Sequence, residues 1–238
     1  MIQIFTCLTG NSREYALHLK ENLLSTSSSD MSFTALCDDT FTGYCPGWDI
    51  VDTVPRKYPN GAANHGQMLN KIRRHIKKNS SITVVADCDV AALRKGWDKL
   101  ILSNMSDGYF DAMITPKFSG SPSVYFTALN SKRLKKGKPD FMPGTKHNGY
   151  LTDTPLVDTG WRLTEFFDRP YIYNYRWHPE LRYLYSYGSL RMFSHMGGSH
   201  KKTFDSQGTQ NWIKAINKQI DENNRLNELL PGEQKTIP

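Results

Sequence analysis

Hydrophobic and polar positions alternate along the first half of the chain in strand–helix order. Residues 2–7 form an apolar run that predicts a first strand, with an exit turn at 8–11. Residues 12–24 follow with helical spacing, and Ser12 stands where an N-cap belongs. The Ser-rich stretch 26–29 reads as a loop, 33–37 as a second strand ending in Asp38-Asp39, and 48–54 as a third strand. Met68, Leu69, Ile72 and Ile76 recur on one face of a helix predicted over 64–78. Residues 82–86 are short and mostly apolar, as in a strand buried on both faces of a parallel sheet, and end in Asp87-Cys88-Asp89. A helix beginning over 95–102 and a strand over 111–115 complete this half.

Beyond Pro122 the pattern changes. Residues 124–129 predict a strand, 131–138 a basic turn and 159–167 a helix. Residues 171–177 and 183–187 alternate strictly, with aromatics at 171, 173, 175, 177, 183, 185 and 187. That pattern predicts a hairpin with one aromatic face, turning at His178-Pro179-Glu180. Residues 190–193 resemble a further strand, 210–229 form an amphipathic helix, and the tail after Pro231 frays.

Composition narrows the class. The 238 residues are 38% hydrophobic and 22% charged, which suits one globular domain rather than a disordered chain. No apolar run approaches a bilayer span, and residues 1–7 are too short for a signal peptide. Cys7, Cys37, Cys45 and Cys88 show no paired spacing, which argues against a zinc ribbon or a disulfide scaffold and for a cytoplasmic protein. Thirty Lys and Arg against 23 Asp and Glu give a net charge of +7 and an attraction to something anionic.

The chemistry concentrates at Asp87-Cys88-Asp89. A buried strand that delivers two carboxylates to the carboxyl edge of an α/β sheet places them where such sheets bind ligands. Alternation points Asp87 and Asp89 the same way, and two adjacent carboxylates repel unless a cation such as Mg²⁺ or Mn²⁺ joins them to phosphate oxygens. The plain alternative is a loop of two solvated acids. Upstream, Gly61-Ala62-Ala63-Asn64-His65-Gly66 opens the helix that leads into the strand. The run from Gly61 to Asp89, together with the first two strands, resembles nucleotide-sugar glycosyltransferases of the GT-A fold with their Asp-x-Asp motif.

The resemblance implies a fold and a site. The fold is a Rossmann-type mixed α/β sheet flanked by helices. A nucleotide-sugar half spans 1–115, an irregular, aromatic-rich acceptor half spans 116–230, and a flexible tail spans 231–238. Thr6, Cys7, Asp38 and Asp39 would line the nucleoside pocket. Asp87 and Asp89 would face the diphosphate and the metal, with Asn64 and His65 touching the nucleotide. Capping of the helix is the alternative role for Asn64. His195, Gly198 and Lys201 have the His-x-x-Gly-x-x-Lys spacing of retaining GT-A enzymes. There the histidine completes the metal site and the lysine holds the leaving diphosphate; His200 is a second choice of ligand. Asp153 and Asp158 are candidates for the catalytic base, and Trp161 and Trp177 for rings that reach the acceptor. The Gly-Ala-Ala-Asn turn leans to inverting enzymes and the late histidine to retaining ones, which leaves the stereochemistry open.

The reaction expected is transfer of a hexose or pentose from a nucleoside diphosphate, UDP favoured, to an acceptor hydroxyl. The acceptor is a glycan or a modified base in DNA, the latter because residues 131–138 would lie beside it as a track for phosphates. Two other readings compete: an Asp-x-Asp phosphohydrolase with Asp87 as nucleophile, and a non-catalytic nucleic-acid binder built on the basic, aromatic second half.

Overall fold

A computed structural model describes residues 1–58, 61–117, 122–143, 159–160, 162–197 and 203–229, with side chains as far as residue 225. Its centre is a seven-stranded sheet in the order β3-β2-β1-β4-β7-β6-β8. The strands are β1 (Ile2–Leu8), β2 (Met31–Asp38), β3 (Asp49–Val54), β4 (Ile82–Ala86), β6 (Ala112–Pro116), β7 (Pro122–Asn130) and β8 (Pro170–Ile172). A second sheet of four strands runs β5-β11-β10-β9, from β5 (Val90–Ala92), β9 (Asn174–His178), β10 (Arg182–Tyr187) and β11 (Leu190–His195). The helices are α1 (Arg13–Thr26), α2 (Gly61–Leu69), α3 (Trp97–Ser106), α4 (Ser131–Lys136), α5 (Leu163–Phe166) and α6 (Gln207–Leu229).

Strands β3, β2, β1 and β4 are parallel, with α1 between β1 and β2 and α2 between β3 and β4. β4 is buried throughout, and its other neighbour, β7, runs antiparallel, so the sheet is mixed, as the resemblance implied. Apolar side chains of alternate parity fill the two faces. Ile4, Val84 and Phe126 belong to a core shared with α1, α3 and the small sheet; Phe5, Val85 and Leu129 belong to one shared with α2 and α4. β7, from the second half of the sequence, sits between β4 and β6, and β5, from the first half, edges the small sheet.

Several expected elements take other forms. The helix expected over 64–78 ends at Leu69 and gives way to a 3₁₀ turn, Ile72–Arg74. Buried Gln3 explains the break: its amide donates to the His75 carbonyl and accepts from the Lys77 N–H, 3.0 and 2.8 Å away, which fixes the chain outside helical geometry. The turn expected at 131–138 is helix α4, capped by the Asn130 side chain, which accepts from the Arg133 N–H at 3.0 Å. The helix expected over 159–167 shrinks to α5. Ser12 does not cap α1; its hydroxyl exchanges hydrogen bonds with the backbone of Thr9 instead. The strand expected over 171–177 is two strands, β8 in the large sheet and β9 in the small one, with Tyr173 buried at the crossing.

Candidate active site

The carboxyl ends of β1, β2 and β4 converge. Phe5 pairs with Val85, so Thr6 and Cys7 lie beside the end of β4. Burial pushes the Cys7 thiol well above its usual range, and the nearby charges of Asp87 and Asp38 push it in the same direction. Those contributions place Cys7 in the field of both carboxylates. Asp38 is buried, accepts from the Thr40 N–H at 3.0 Å and lies 3.8 Å from the Arg56 guanidinium, whereas Asp39 is exposed. Of the adjacent pair, only Asp38 faces inward. The Thr6 hydroxyl is buried and makes no hydrogen bond among the described residues.

Asp87 and Asp89 belong to the turn that leaves the large sheet after Ala86 and enters the small sheet at Val90. The strand has therefore ended before both acids, and it is the turn, not strand alternation, that brings them together. The Asp87 N–H donates to the Tyr125 carbonyl at 2.9 Å, and the Val90 N–H to the Asp87 carbonyl at 3.3 Å. At the far end of the sequence β11 pairs with β5, His195 against Val90, and carries the imidazole to the same turn. The Met196 N–H closes the contact on the Asp89 carbonyl at 3.0 Å. His195 Nε2 lies 3.1 Å from Asp89 Oδ1 and 3.7 Å from Asp87 Oδ2. One donor atom from each of Asp87, Asp89 and His195 falls within 4.8 Å of the others.

Helix α2 adds a fourth group. His65 Nε2 is 3.6 Å from Asp87 Oδ1, so this side chain meets the acid pair directly. Its neighbour Asn64 neither caps α2 nor leads it: the helix begins at Gly61, and the Asn64 amide instead pins the preceding segment. It accepts from the N–H groups of Lys57 and Tyr58 at 2.9 and 3.1 Å and donates to the Tyr58 carbonyl at 2.6 Å. Gly66 is required for close approach, since a Cβ there would fall 2.7 Å from the Phe141 carbonyl.

Tyrosines flank His195 and were not singled out by the sequence. The Tyr125 ring stacks on the imidazole with centroids 4.2 Å apart, and Tyr183 approaches at 5.6 Å. Tyr183 belongs to the aromatic alternation, but Tyr125 had no signal, because its place depends on the pairing of β7 with β4. Gly197 takes a left-handed φ of +70°, and a Cβ there would strike the Tyr183 ring at 2.4 Å. Trp177 stands two strands from His195 in one cross-strand row, Trp177–Tyr183–His195, on one face of the small sheet. It is 59% exposed. Asp153, Asp158, Trp161, Gly198, His200 and Lys201 lie outside the described residues.

The basic segment 131–138 is not beside this site. Asn130, which precedes it, pairs with Ile82, at the opposite end of β4 from Asp87. Five residues of strand, about 16 Å, separate the two.

A sheet whose parallel strands end at a buried acid, followed by a turn that carries two carboxylates onto a second, smaller sheet with a histidine, is a known arrangement. The galactosyltransferase LgtC, solved with donor and acceptor sugar analogues, matches with a TM-score of 0.59 at 11% identity, over 99% of this chain and 97% of that one. The fold is GT-A. A structure of an LgtC active-site mutant agrees at 0.52 and 10% identity, with 72% of each chain covered. A GT-A match to TarS of S. aureus reaches 0.50 at 9% identity, over 99% of this chain and 73% of that one. No family model matches the sequence, and comparison with curated proteins finds no match. Within the GT-A frame the Asp87–Asp89–His195 cluster sits at the carboxyl edge of the central strands, and it is compatible with an Asp-x-Asp site. No helix among the described residues is long and apolar enough to cross a membrane.

Proposed function

We propose that this chain transfers a hexose or pentose from a nucleoside diphosphate, UDP by preference, to an acceptor hydroxyl. A divalent cation, Mn²⁺ or Mg²⁺, would be held by Asp87, Asp89 and His195. The observation that carries the reading is the meeting of these three donor atoms within 4.8 Å at the carboxyl edge of a GT-A sheet. The donor set fits such an ion: two carboxylate oxygens and one imidazole nitrogen suit a hard or borderline divalent cation. Burial, with the charges of Asp87 and Asp38, pushes the Cys7 thiol beside this site well above its usual range, which makes it a poor competing soft ligand. Bound there, the cation would neutralise charge on the departing diphosphate.

The chain's own residues take the remaining roles in this proposal. Thr6, Cys7 and Asp38 form the wall of the nucleoside pocket, and exposed Asp39 stands at its rim. His65 holds Asp87 in place, and Asn64 fixes the segment that enters α2. Tyr125 and Tyr183 hold the His195 ring between them. Gly198 and Lys201 would complete the phosphate side, Asp153 or Asp158 the base, and Trp161 and Trp177 the acceptor side. Residues 1–115 act as the donor half and 116–230 as the acceptor half. The position of 131–138 at the other end of β4 favours a glycan acceptor over modified DNA. Four buried cysteines outside any disulfide suit a reducing, cytoplasmic setting.

The test is a calorimetric titration with UDP, first with Mn²⁺ and then with EDTA. Micromolar affinity that disappears with EDTA is expected. Absence of binding by UDP and by other nucleoside diphosphates in both conditions would overturn the proposal.

A further inference from the structure

The hairpin between β9 and β10 has a three-residue loop, Pro179 to Leu181, followed by a residue in left-handed backbone conformation. Glycine commonly occupies that last position, because a side chain is strained there. Here it is Arg182, with φ of 60°, the one non-glycine residue with positive φ among those described. The loop itself is well supported without it: His178 Nδ1 accepts from the N–H groups of Glu180 and Leu181 at 3.3 and 3.2 Å. An arginine kept at a position where glycine costs less is a strained residue that the turn does not need.

Arg182 lines a cleft of about 370 Å³ between this loop and α6. Lys214 and Lys218, one helical turn apart, line it from the helix, with Asn211 beside them and the buried Trp212 as part of its lining. Arg182, Lys214 and Lys218 form no ion pair among the described residues, and Glu180 is the sole acid in the lining. Three cations that form no ion pair among the described residues and line one half-open cleft offer charge that suits a phosphate group. Arg182 directly precedes Tyr183, which pairs with His195, so the two successive side chains leave opposite faces of the small sheet. Trp212 donates to Ser194, so α6 and the cleft lie on the face of the small sheet opposite the imidazole, around the hairpin tip.

We infer that this cleft binds a phosphate ester carried by the acceptor glycan, away from the hydroxyl that receives the sugar. The inference rests on the glycosyltransferase reading above. A bounded cleft suits a single phosphate on a sugar better than a tracked strand of nucleic acid.

The test uses the full chain in EDTA, so that a metal-dependent donor site does not contribute. Binding of glucose 6-phosphate, glucose and a ten-nucleotide single DNA strand is measured for the unsubstituted protein, Arg182→Gly and Lys214→Ala/Lys218→Ala. Glucose 6-phosphate should bind and glucose should not, and both variants should weaken that binding at least tenfold. Arg182→Gly should also keep or raise the melting temperature, since it relieves the backbone, which separates lost binding from lost folding. Unchanged affinity in both variants, or no binding of glucose 6-phosphate by the unsubstituted protein, overturns the inference. Binding of the DNA strand alone overturns the assignment to a sugar phosphate. The UDP titration on the unsubstituted protein decides the donor reading independently.

Discussion

His195 makes its closest acid contact with Asp89, at 3.1 Å, and both side chains are almost fully buried. Two carboxylates and two imidazoles packed this closely make each one sensitive to the loss of another. Asp89→Ala is expected to weaken metal-dependent UDP binding about 100-fold or more, since outer partners alone are worth 10–100-fold in metal affinity. Far-UV circular dichroism should be unchanged; titration of the variant with UDP and Mn²⁺ checks it, and near-native affinity would remove Asp89 from the site. The thiols make a second residue-scale prediction. Burial, with the charge of Asp38 and the neighbouring Cys45 adding to it, raises the Cys37 thiol to about 11, and Cys7 and Cys45 are raised chiefly by burial as well. All four cysteines are buried thiols outside any disulfide. At pH 8 a thiol reagent should therefore label none of them in the folded protein and all four in guanidinium chloride. Rapid labelling of the folded chain would contradict this.

At the scale of elements, α1 holds two structures together. The Asn22 side chain donates to the Ala92 carbonyl at 3.1 Å and accepts from the Ala92 N–H at 2.6 Å, so it pairs the outer edge of β5 as a further strand would. Asn22→Ala leaves two buried peptide groups unpaired and should cost roughly 2–4 kcal/mol, read by chemical denaturation; a loss within error of zero would mean that β5 finds other partners. On the same helix, His18 packs against Phe204 and Trp212, and burial lowers its pKa from 6.5. The folded state thus binds this proton less readily than the unfolded one. The stability from a neutral His18 is complete above pH 6.5 and is lost as pH falls toward the folded value. His18→Gln should flatten the fall of melting temperature between pH 7.5 and 5.5, and parallel curves would exclude His18 as a source. The strands β1, β2 and β4 were legible in the sequence because each is an apolar run bounded by polar residues. The division of 171–177 between two sheets was not, since period-two alternation continues through Tyr173 whichever sheet a residue joins. β5 has three residues and gives no periodic signal at all. The acid pair and His195 were readable as chemistry, but their meeting depends on pairing of β11 with β5, which no local pattern encodes.

Across the whole molecule, charge is divided unevenly. Residues 71–78 and 131–138 hold ten Lys and Arg and no acid, which leaves 20 cations against 23 acids elsewhere. Pairing of β4 with β7 sets these segments side by side, and Lys135 Nζ donates to the Lys77 carbonyl at 3.2 Å. The basic excess read from composition therefore belongs to the end of the sheet opposite the acid turn, and for that reason it said little about the acceptor. The turn from Asp87 to Asp89 has a mechanical consequence. It is the only covalent step between β4 and β5, and its two acids meet a histidine on the second sheet. A cation seated there would act as a rivet through the seam between the sheets. Its removal by chelation would then loosen the four-stranded sheet before the seven-stranded one, and amide exchange in β10 and β11 would quicken while β1 and β4 stayed protected.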